Sequence, residues 1–245
     1  MTTFATVSEL KAGQIDIWFA NVDRPPSDIR NFEALLSPRE ASRAQRFRFV
    51  RDRNRYVVRH GVLRTLLARY MDIGPRQVDI LCDANGKPYL AGRQNEGCLQ
   101  FSDSHSDTYA AFAFCRYGRI GVDIEKIREL PEMLEIVARH FTRRENAELL
   151  SCAEAGRLML FYQFWTRKEA LLKAQGEGLL RHLDSVDVVT DGRGPELWPV
   201  TIAGCPMGES FWVADLNGPA GFAAAVAVAG DVTDISVHQA WTGEG

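Results

Sequence analysis

The segment Gly121–Lys126 alternates apolar and acidic side chains, and this alternation predicts a β-strand. Alternate side chains of a strand share a face, so Val122 and Ile124 point toward a core while Asp123 and Glu125 point together the other way. Two neighbouring carboxylates repel each other unless a positive charge lies between them. A divalent cation such as Mg²⁺ suits this pair, because it prefers oxygen ligands and leaves positions for water and phosphate. The alternative is a solvated strand face whose carboxylates are paired by nearby basic side chains.

This acidic strand is expected to be the second arm of a β-hairpin. An apolar run at Tyr109–Cys115 and a turn at Tyr117-Gly118-Arg119 come directly before it. A turn of this kind between two strand-forming segments is typical of a hairpin. We therefore predict that Tyr109–Cys115 and Ile120–Glu125 pair with each other.

The composition indicates a globular protein and excludes several classes of function. With 46% hydrophobic and 25% charged residues, the 245-residue chain can bury a core as one large domain or two small ones. A net charge of -3 argues against general nucleic-acid binding. We expect no signal peptide at Met1–Leu10 and no bilayer-spanning segment, since the apolar run Phe222–Ala229 is too short. Scattered cysteines without a C-x-x-C pair predict free thiols in a cytoplasmic protein, at Cys82, Cys98, Cys115, Cys152 and Cys205.

Capping signals mark several helices. Ser37-Pro38-Arg39-Glu40 and Thr142-Arg143-Arg144-Glu145 both have the pattern of a capping box at a helix start. A second helix is expected at Asp52–Tyr70, capped by its first residue, and a long one at Glu154–Gln175, with Gly176 as its C-terminal cap. The other predicted segments are a loop at Asn21–Ile29, a helix at Pro131–His140, and strands at Ile15–Ala20, Val78–Cys82, Leu99–Ser102, Val186–Thr190, Phe211–Leu216, Gly221–Ala229 and Ile235–Gln239.

The order of these elements repeats weakly along the chain. A helix pair, a strand followed by a turn, and an alanine-rich hairpin occur once in each half, although chance could also produce this repeat. The repeat predicts an α+β fold with a pseudo-two-fold pair of similar subdomains, each a small, mainly antiparallel sheet packed by helices. We place the subdomains at residues 1–118 and 119–245. The acidic strand would then lie at the seam between them, where ligand clefts tend to form.

The predicted helix Glu154–Gln175 carries a second set of reactive side chains. Trp165, Glu169 and Lys173 are spaced by four residues and share one ridge, and Lys168 lies beside them. Such pairs also occur on exposed helix faces, but aromatic residues around this helix predict that it is buried. Buried charges need partners, so Glu169 could complete a metal site with Asp123 and Glu125, and the lysines could contact phosphate.

Two further segments carry polar groups suited to a phosphate. Ser104-His105-Ser106 follows a predicted strand, and its side chains could donate hydrogen bonds to a phosphate oxygen. A single histidine is more often an ordinary loop residue. Gly86-Lys87-Pro88 presents a lysine on a turn, which alone is a weak signal. A Ser-His-Asp hydrolase is disfavoured because the G-x-S-x-G motif is absent from the sequence.

Three of these segments resemble, in order and spacing, the motifs of 4′-phosphopantetheinyl transferases. They are Phe101-Ser102-x-Ser104-His105-Ser106, Gly121-Val122-Asp123-Ile124-Glu125-Lys126 and Phe164-Trp165-Thr166-x-Lys168-Glu169-Ala170-x-x-Lys173. Supporting segments are Gly86-Lys87-Pro88, the Ser37-Pro38 helix start and Gly176-x-Gly178-Leu179. The match spans about Leu36 to Val189. A chain that holds both halves looks like the Sfp type of the family rather than the short trimeric holo-acyl-carrier-protein synthase type.

The resemblance implies a function and a set of site residues. That family moves the phosphopantetheine arm of coenzyme A onto a serine of an apo acyl or peptidyl carrier protein, and adenosine 3′,5′-bisphosphate is released. It implies Mg²⁺, with Mn²⁺ as an alternative, held by Asp123, Glu125 and Glu169, and a catalytic set of Glu169, Asp123 and Lys173. Residues implied to bind coenzyme A are Lys87 and Lys173 at the pyrophosphate, Lys168 alongside the phosphates, and Ser104, His105 and Arg55 at the 3′-phosphate and adenosine.

The sequence departs from the family pattern at two positions. Many relatives have asparagine and an aliphatic residue where Ser102-Asp103 stands here, so Asp103 adds a carboxylate near the expected phosphate site. Some relatives carry a basic residue where Glu40 falls, although Arg39 and Arg43 are adjacent.

Two rival functions could use the same residues. One is another Mg²⁺-dependent enzyme that uses a nucleotide, such as a nucleotidyl transferase. The other is a module that binds coenzyme A or a carrier protein without turnover. We further expect a cytoplasmic monomer that binds neither nucleic acid nor membrane, because a duplicated chain supplies both sides of its own cleft.

Overall fold

The computed structural model of the chain describes residues 3–4, 9–92, 98–176, 183–190, 197–200, 211–230 and 232–242. The α-helices in these ranges are α1 (Pro26–Glu33), α2 (Pro38–Ala44), α3 (Val50–Met71), α4 (Met133–His140), α5 (Arg143–Ser151) and α6 (Glu154–Gln175). The strands are β1 (Thr3–Phe4), β2 (Gln14–Asn21), β3 (Ile80–Cys82), β4 (Pro88–Leu90), β5 (Leu99–Ser106), β6 (Tyr109–Arg116), β7 (Ile120–Lys126), β8 (Trp198–Val200), β9 (Phe211–Asp215), β10 (Phe222–Ala229), β11 (Asp234–Gln239) and β12 (Trp241–Thr242).

Each half of the chain builds the same unit around its own four-stranded sheet. In the first half, β2 is followed by α1–α3 and then by β5 and β6, and these strands lie in the order β2-β6-β5. In the second half, β7 is followed by α4–α6 and then by β9 and β10, in the order β7-β10-β9. The predicted α+β fold with two similar, mainly antiparallel halves is therefore confirmed.

The last long strand crosses back to the first half. β11 pairs with the outer edge of β2 and is parallel to it, whereas the other strand pairs among the described residues are antiparallel. The first sheet thus has the order β11-β2-β6-β5, and β8 completes the second as β7-β10-β9-β8. The subdomain boundary between residues 118 and 119 stays a prediction.

The predicted hairpin between Tyr109–Cys115 and Ile120–Glu125 is wrong. β6 pairs with β2 and β5, whereas β7 pairs with β10 in the other sheet. Tyr117 and Gly118 both have positive φ angles, of 65° and 76°, and the chain turns there out of one sheet and into the other. A Cβ atom on Gly118 would lie 2.1 Å from the Ala229 carbonyl oxygen, so this crossing requires glycine.

Other boundaries differ from the predicted ones. The predicted loop at Asn21–Ile29 contains the start of α1, which begins with Pro26 in its first turn. α3 begins at Val50, so Asp52 lies inside its first turn and is not its cap. No strand forms at Val186–Thr190, because side chains of α5 and α6 bind its backbone groups. The capping boxes at Ser37 and Thr142, and the bounds of α6, are confirmed.

Three apolar clusters join the layers. The first lies between the two sheets and contains Ile17 and Phe19 of β2 together with Val122 and Ile124 of β7. The other two pack α1–α3 against the first sheet and α4–α6 against the second. Four of the five cysteines lie in described ranges and are free thiols, as predicted, while Cys205 and the predicted Gly178-Leu179 motif lie outside them. None of the described helices combines the length and apolar character needed to cross a bilayer.

The contact between α6 and β7 depends on the absence of a side chain at Gly121. A Cβ atom at this position would lie 2.0 Å from the Ala170 carbonyl oxygen and 2.5 Å from the Ala174 nitrogen. Real Cβ atoms do not approach backbone atoms this closely, so any larger residue would push α6 away. Gly121 therefore sets the distance between the acidic strand and the helix that carries Glu169 and Lys173.

We expect Gly121→Ala to lower the free energy of unfolding by about 2 kcal/mol or more, because the added methyl group overpacks the contact. Urea denaturation of wild type and variant would measure this loss. Gly218→Ala is the matched control, since its Cβ atom would meet Phe19 and Ala224 at ordinary contact distances of 3.5 and 3.6 Å. Equal stability of the two alanine variants would contradict the assigned role of Gly121.

Candidate active site

The acidic strand β7 faces the polar end of β5 across the seam between the two halves. β5 extends to Ser106, four residues beyond the predicted end of this strand. Ser104 and Ser106 therefore share one face of β5, and that face meets Asp123 and Glu125. The Ser104 hydroxyl donates to Asp123 Oδ1 at 2.8 Å, and the Ser106 hydroxyl donates to Glu125 Oε2 at 2.7 Å.

Asp123 is the most buried of the three predicted metal ligands, with 3% of its surface exposed. Lys173 Nζ donates to its Oδ1 atom at 2.7 Å, and also to the Ser104 hydroxyl at 2.8 Å and the Val122 carbonyl at 3.1 Å. The second carboxylate oxygen, Oδ2, is buried and has no hydrogen-bond partner among the described residues. A buried carboxylate oxygen without a partner is costly, so this atom is suited to receive a ligand.

The charge of Asp123 affects the pKa values of both Glu125 and Glu169. Burial raises the pKa of Glu125, the Ser106 hydrogen bond opposes this rise, and the Asp123 charge adds to it. Burial, followed by the charge of Asp123, raises the pKa of Glu169 to about 6, with Lys173 opposing and Glu125 adding to the rise. The three acidic side chains Asp123, Glu125 and Glu169 therefore interact electrostatically, and Lys173 alone does not balance their negative charge.

The carboxylates are not arranged as a ready-made metal site. Within the described ranges, no group of three or more His, Cys, Asp or Glu side chains has a geometry that could hold a metal ion. The ammonium group of Lys173 occupies the position of a counter-charge next to Asp123 instead. Metal ligation by Asp123, Glu125 and Glu169 thus stays a prediction.

Lys87 clamps the end of α6 from the other half of the chain. Its Nζ atom donates to the Lys173 carbonyl oxygen at 2.6 Å and to the Ala174 carbonyl oxygen at 3.3 Å. The neighbouring Asn85 side chain donates to the Gly176 carbonyl oxygen at 2.8 Å. A cation at the C-terminus of a helix satisfies free carbonyl groups and complements the helix dipole. The Gly86-Lys87-Pro88 turn thereby holds α6 in place beside a cavity of about 330 Å³ that Glu169 and Lys173 also line.

A basic group lies on the opposite face of β5. Arg59 Nη1 lies 2.6 Å from His105 Nδ1, and Arg59 Nε lies 3.2 Å from Asp103 Oδ2. Arg55 is held by Asp23 and Asp107, at 2.7 and 2.9 Å, and these contacts raise its pKa. Desolvation by the surrounding protein, followed by the Arg59 charge, lowers the pKa of His105 to about 4, so the ring is neutral at pH 7.

These basic residues line a cavity of about 1000 Å³. Arg39 and Arg43 of α2 and Tyr89 of β4 also line it. The sequence prediction missed Arg59, although its position four residues after Arg55 on α3 places both on one helix ridge. The ion pair with Arg59 compensates the negative charge of Asp103, the carboxylate that departs from the family pattern.

Lys168 and Glu40 each bind partners outside the acidic cluster. Lys168 is 1% exposed, and its Nζ atom contacts Glu145 at 2.8 Å and the carbonyl oxygens of Leu183 and Val186 at 2.7 and 2.6 Å. These three partners use all its donors, so the structure does not bring Lys168 to the acidic cluster. Glu40 accepts from the Ser37 amide at 2.7 Å and pairs with Arg64 at 2.6 Å, a bonding pattern that holds the start of α2.

Fold and site together are typical of an enzyme that binds a phosphate-bearing substrate between two α+β halves. Comparisons with known proteins identify the family. Residues 25–116 match the family model described as 4′-phosphopantetheinyl transferase, N-terminal, and residues 119–203 match that of the 4′-phosphopantetheinyl transferase superfamily.

Individual relatives agree with these matches. The 4′-phosphopantetheinyl transferase HetI of Nostoc sp. is 32% identical over 221 residues, 90% of this chain and 90% of that protein. The 4′-phosphopantetheinyl transferase Sfp of Bacillus subtilis is 30% identical over 169 residues, 68% of this chain and 73% of that protein. The chain therefore belongs to the 4′-phosphopantetheinyl transferase superfamily, of the Sfp type, and the resemblance of its motifs is confirmed. Transfer of phosphopantetheine to carrier proteins is the function that this membership supports.

The raised pKa of Glu169 predicts a gain in stability when its charge is removed. Its ordinary value is 4.5 and its value in the folded protein is about 6, so ionisation opposes folding above pH 6 and does not below about pH 4.5. We expect Glu169→Gln to raise the free energy of unfolding by about 1–2 kcal/mol at about pH 7.5 in the presence of a chelator, and to change it little at about pH 4.5.

Denaturation at the two pH values measures this difference. Glu148→Gln, which removes an exposed glutamate on α5, is the control. An equal effect of Glu169→Gln at both pH values would contradict the electrostatic origin of the shift.

Proposed function

We propose that the chain transfers the 4′-phosphopantetheine arm of coenzyme A to a serine of an apo acyl or peptidyl carrier protein, with a divalent cation bound at Asp123, Glu125 and Glu169. Family membership supports the reaction. The observation that carries the site assignment is the buried Asp123 Oδ2 atom, which lacks a hydrogen-bond partner among the described residues. It lies beside two carboxylates whose pKa values burial and the Asp123 charge raise.

The donor set fits Mg²⁺ or Mn²⁺. Both ions prefer carboxylate oxygens, and a divalent charge would offset the repulsion among three acidic side chains. When bound, the ion would neutralise the pyrophosphate and the charge that develops on the leaving group. Lys173, which contacts Asp123 in the structure, supplies one positive charge at the same place and is the nearest candidate to meet the pyrophosphate.

The cavity of about 1000 Å³, which arginines and carboxylates line together, is the candidate place for the nucleotide part of coenzyme A. Arg55, Arg59 and His105 line it and are the candidates for the 3′-phosphate, since arginine binds phosphate with two parallel hydrogen bonds. Arg59 takes the place of Ser104 in this assignment, because the Ser104 hydroxyl is directed at Asp123. Lys87 is assigned to the end of α6 beside the smaller cavity, and Lys168 has no role in the proposed site.

Glu169 is the candidate general base. In the proposed step, the carrier serine oxygen forms a bond to the phosphorus that bears the pantetheine arm, and the bond to the bridging oxygen breaks to release adenosine 3′,5′-bisphosphate. The serine proton goes to the Glu169 carboxylate. A carboxylate has two acceptor oxygens, so Glu169 could give one oxygen to the cation and accept the serine proton on the other.

Glu169→Gln should lower the rate of transfer by about 10²–10⁴-fold, because an amide of the same shape cannot accept the proton. The assay incubates the protein with coenzyme A and an apo carrier protein, and mass spectrometry follows addition of one phosphopantetheine group. Glu148→Gln should transfer at the wild-type rate. Near-normal transfer by Glu169→Gln would remove Glu169 from the mechanism.

Asp123→Asn should abolish metal-dependent turnover, because it keeps the shape of the side chain and removes the charge that the cation needs. The transfer rate is measured as a function of Mg²⁺ concentration, and Mn²⁺ binding is measured by calorimetry without the carrier. Glu148→Gln, which removes an exposed carboxylate on α5, is the control for loss of a carboxylate. An unchanged Mg²⁺ dependence in Asp123→Asn would place the metal elsewhere.

The same assay separates the rival functions. A nucleotidyl transferase would act on a nucleotide without a need for the carrier, and a binding module would retain coenzyme A without releasing adenosine 3′,5′-bisphosphate. A monomeric state and a cytoplasmic location are further predictions, which size-exclusion chromatography and cell fractionation would test.

A further inference from the structure

The edges of the two main sheets meet at the seam without a shared backbone ladder. β5 is the edge strand of the first sheet and β7 is the edge strand of the second. Edge strands present unpaired backbone groups that need partners when they are buried. Here serine side chains of β5 supply partners. The Ser102 hydroxyl accepts from the Val122 amide at 3.1 Å, and the Ser106 hydroxyl accepts from the Lys126 amide at 3.1 Å.

Ser106 binds a carboxylate as well as the backbone. A serine hydroxyl has one proton, and acceptance from the Lys126 amide leaves that proton free to donate elsewhere. It donates to Glu125 Oε2 at 2.7 Å. Ser106 therefore links the backbone of β7 to the side chain of Glu125, one residue earlier in the same strand. Ser102 makes only the backbone contact among the described residues, so the two serines differ in this respect.

Glu125 depends on Ser106 more than Asp123 depends on Ser104. Asp123 is held by both Ser104 and Lys173. In the described part of the chain, Ser106 is the one hydrogen-bond donor to the Glu125 carboxylate. Loss of the Ser106 hydroxyl would leave Glu125 free to change its side-chain rotamer, while Asp123 would keep its position.

We propose that Ser106 is a positioning residue: its hydroxyl, oriented by the Lys126 amide, holds the Glu125 carboxylate in the place where a divalent cation binds. This inference rests on the proposed function, in which Glu125 is a metal ligand. Groups that orient a metal ligand from outside the coordination sphere commonly change metal affinity by about 10–100-fold when they are removed.

Four serine variants test the proposal. Ser106→Ala removes the hydroxyl, Ser106→Thr restores it on a side chain that suits a strand, and Ser106→Cys fills the same space with a weak donor. Ser102→Ala is the matched control, because it removes a hydroxyl from the same seam without touching a carboxylate. Thermal unfolding of each variant identifies those that fold. Calorimetry then measures Mn²⁺ affinity in the presence of coenzyme A, and transfer assays measure kcat, the KM for coenzyme A and the half-saturating Mg²⁺ concentration.

We expect Ser106→Ala, or Ser106→Cys if the alanine variant does not fold, to weaken Mn²⁺ binding by about tenfold or more. Its half-saturating Mg²⁺ concentration should rise similarly, with the KM for coenzyme A nearly unchanged. Ser106→Thr should bind Mn²⁺ within about twofold of wild type, and Ser102→Ala should bind it as wild type does even if it unfolds at a lower temperature.

Three outcomes would overturn the inference in distinguishable ways. If wild type transfers the arm and the folded Ser106→Ala and Ser106→Cys variants keep wild-type Mn²⁺ affinity, Ser106 is only part of the seam and the proposed function stands. Equal weakening by Ser102→Ala would also assign the effect to the seam as a whole. If wild type neither binds Mn²⁺ nor transfers the arm, the proposed function fails and this inference fails with it.

Discussion

The close approach of α6 to β7 is the contact on which the candidate site depends. Gly121 leaves space for the α6 backbone at Ala170, and the helix then brings Glu169 and Lys173 over Asp123. The approach concentrates three acidic groups in a partly buried seam, where the pKa values of Glu125 and Glu169 rise and a positive charge is favoured. Lys87 secures the arrangement from the first half by binding the carbonyl groups at the end of α6.

The two halves have the same order of strands and helices, yet the surroundings of their first-strand carboxylates, Asp16 and Asp123, differ. In the first half, Asp16 on β2 accepts from the Tyr70 hydroxyl near the end of α3, at 2.6 Å, much as Asp123 on β7 accepts from Lys173 near the end of α6. β11 then covers the edge of β2, and His238 of β11 stacks on Trp18 with ring centroids 4.4 Å apart. The Asp16 carboxylate thus has the Tyr70 hydroxyl and the His238 ring as partners. The outer edge of β7 has no hydrogen-bonded strand among the described residues, and serine side chains of β5 meet it instead.

Much of the fold and the candidate site could be predicted from local patterns. The capping boxes at Ser37 and Thr142, the alternation in β7 and the Gly176 cap of α6 each depend on neighbours within a few residues, and each was confirmed. The pairing of β6 and β7 could not be predicted in this way. Adjacent strands joined by a short turn usually form a hairpin, and only the packing of two sheets sends β7 to β10 instead.

The sequence by itself determined the local elements, the family and the identity of the acidic residues, because these depend on spacing along the chain. Tertiary structure decided which charges are free to act, because a charged side chain takes the nearest partner in space. Thus Lys168, one residue from Glu169, is turned into the core by Glu145, and Asp103 is paired with an arginine from a distant helix. Only the meeting of β5 and β7, some twenty residues apart in sequence, directs Ser106 at Glu125.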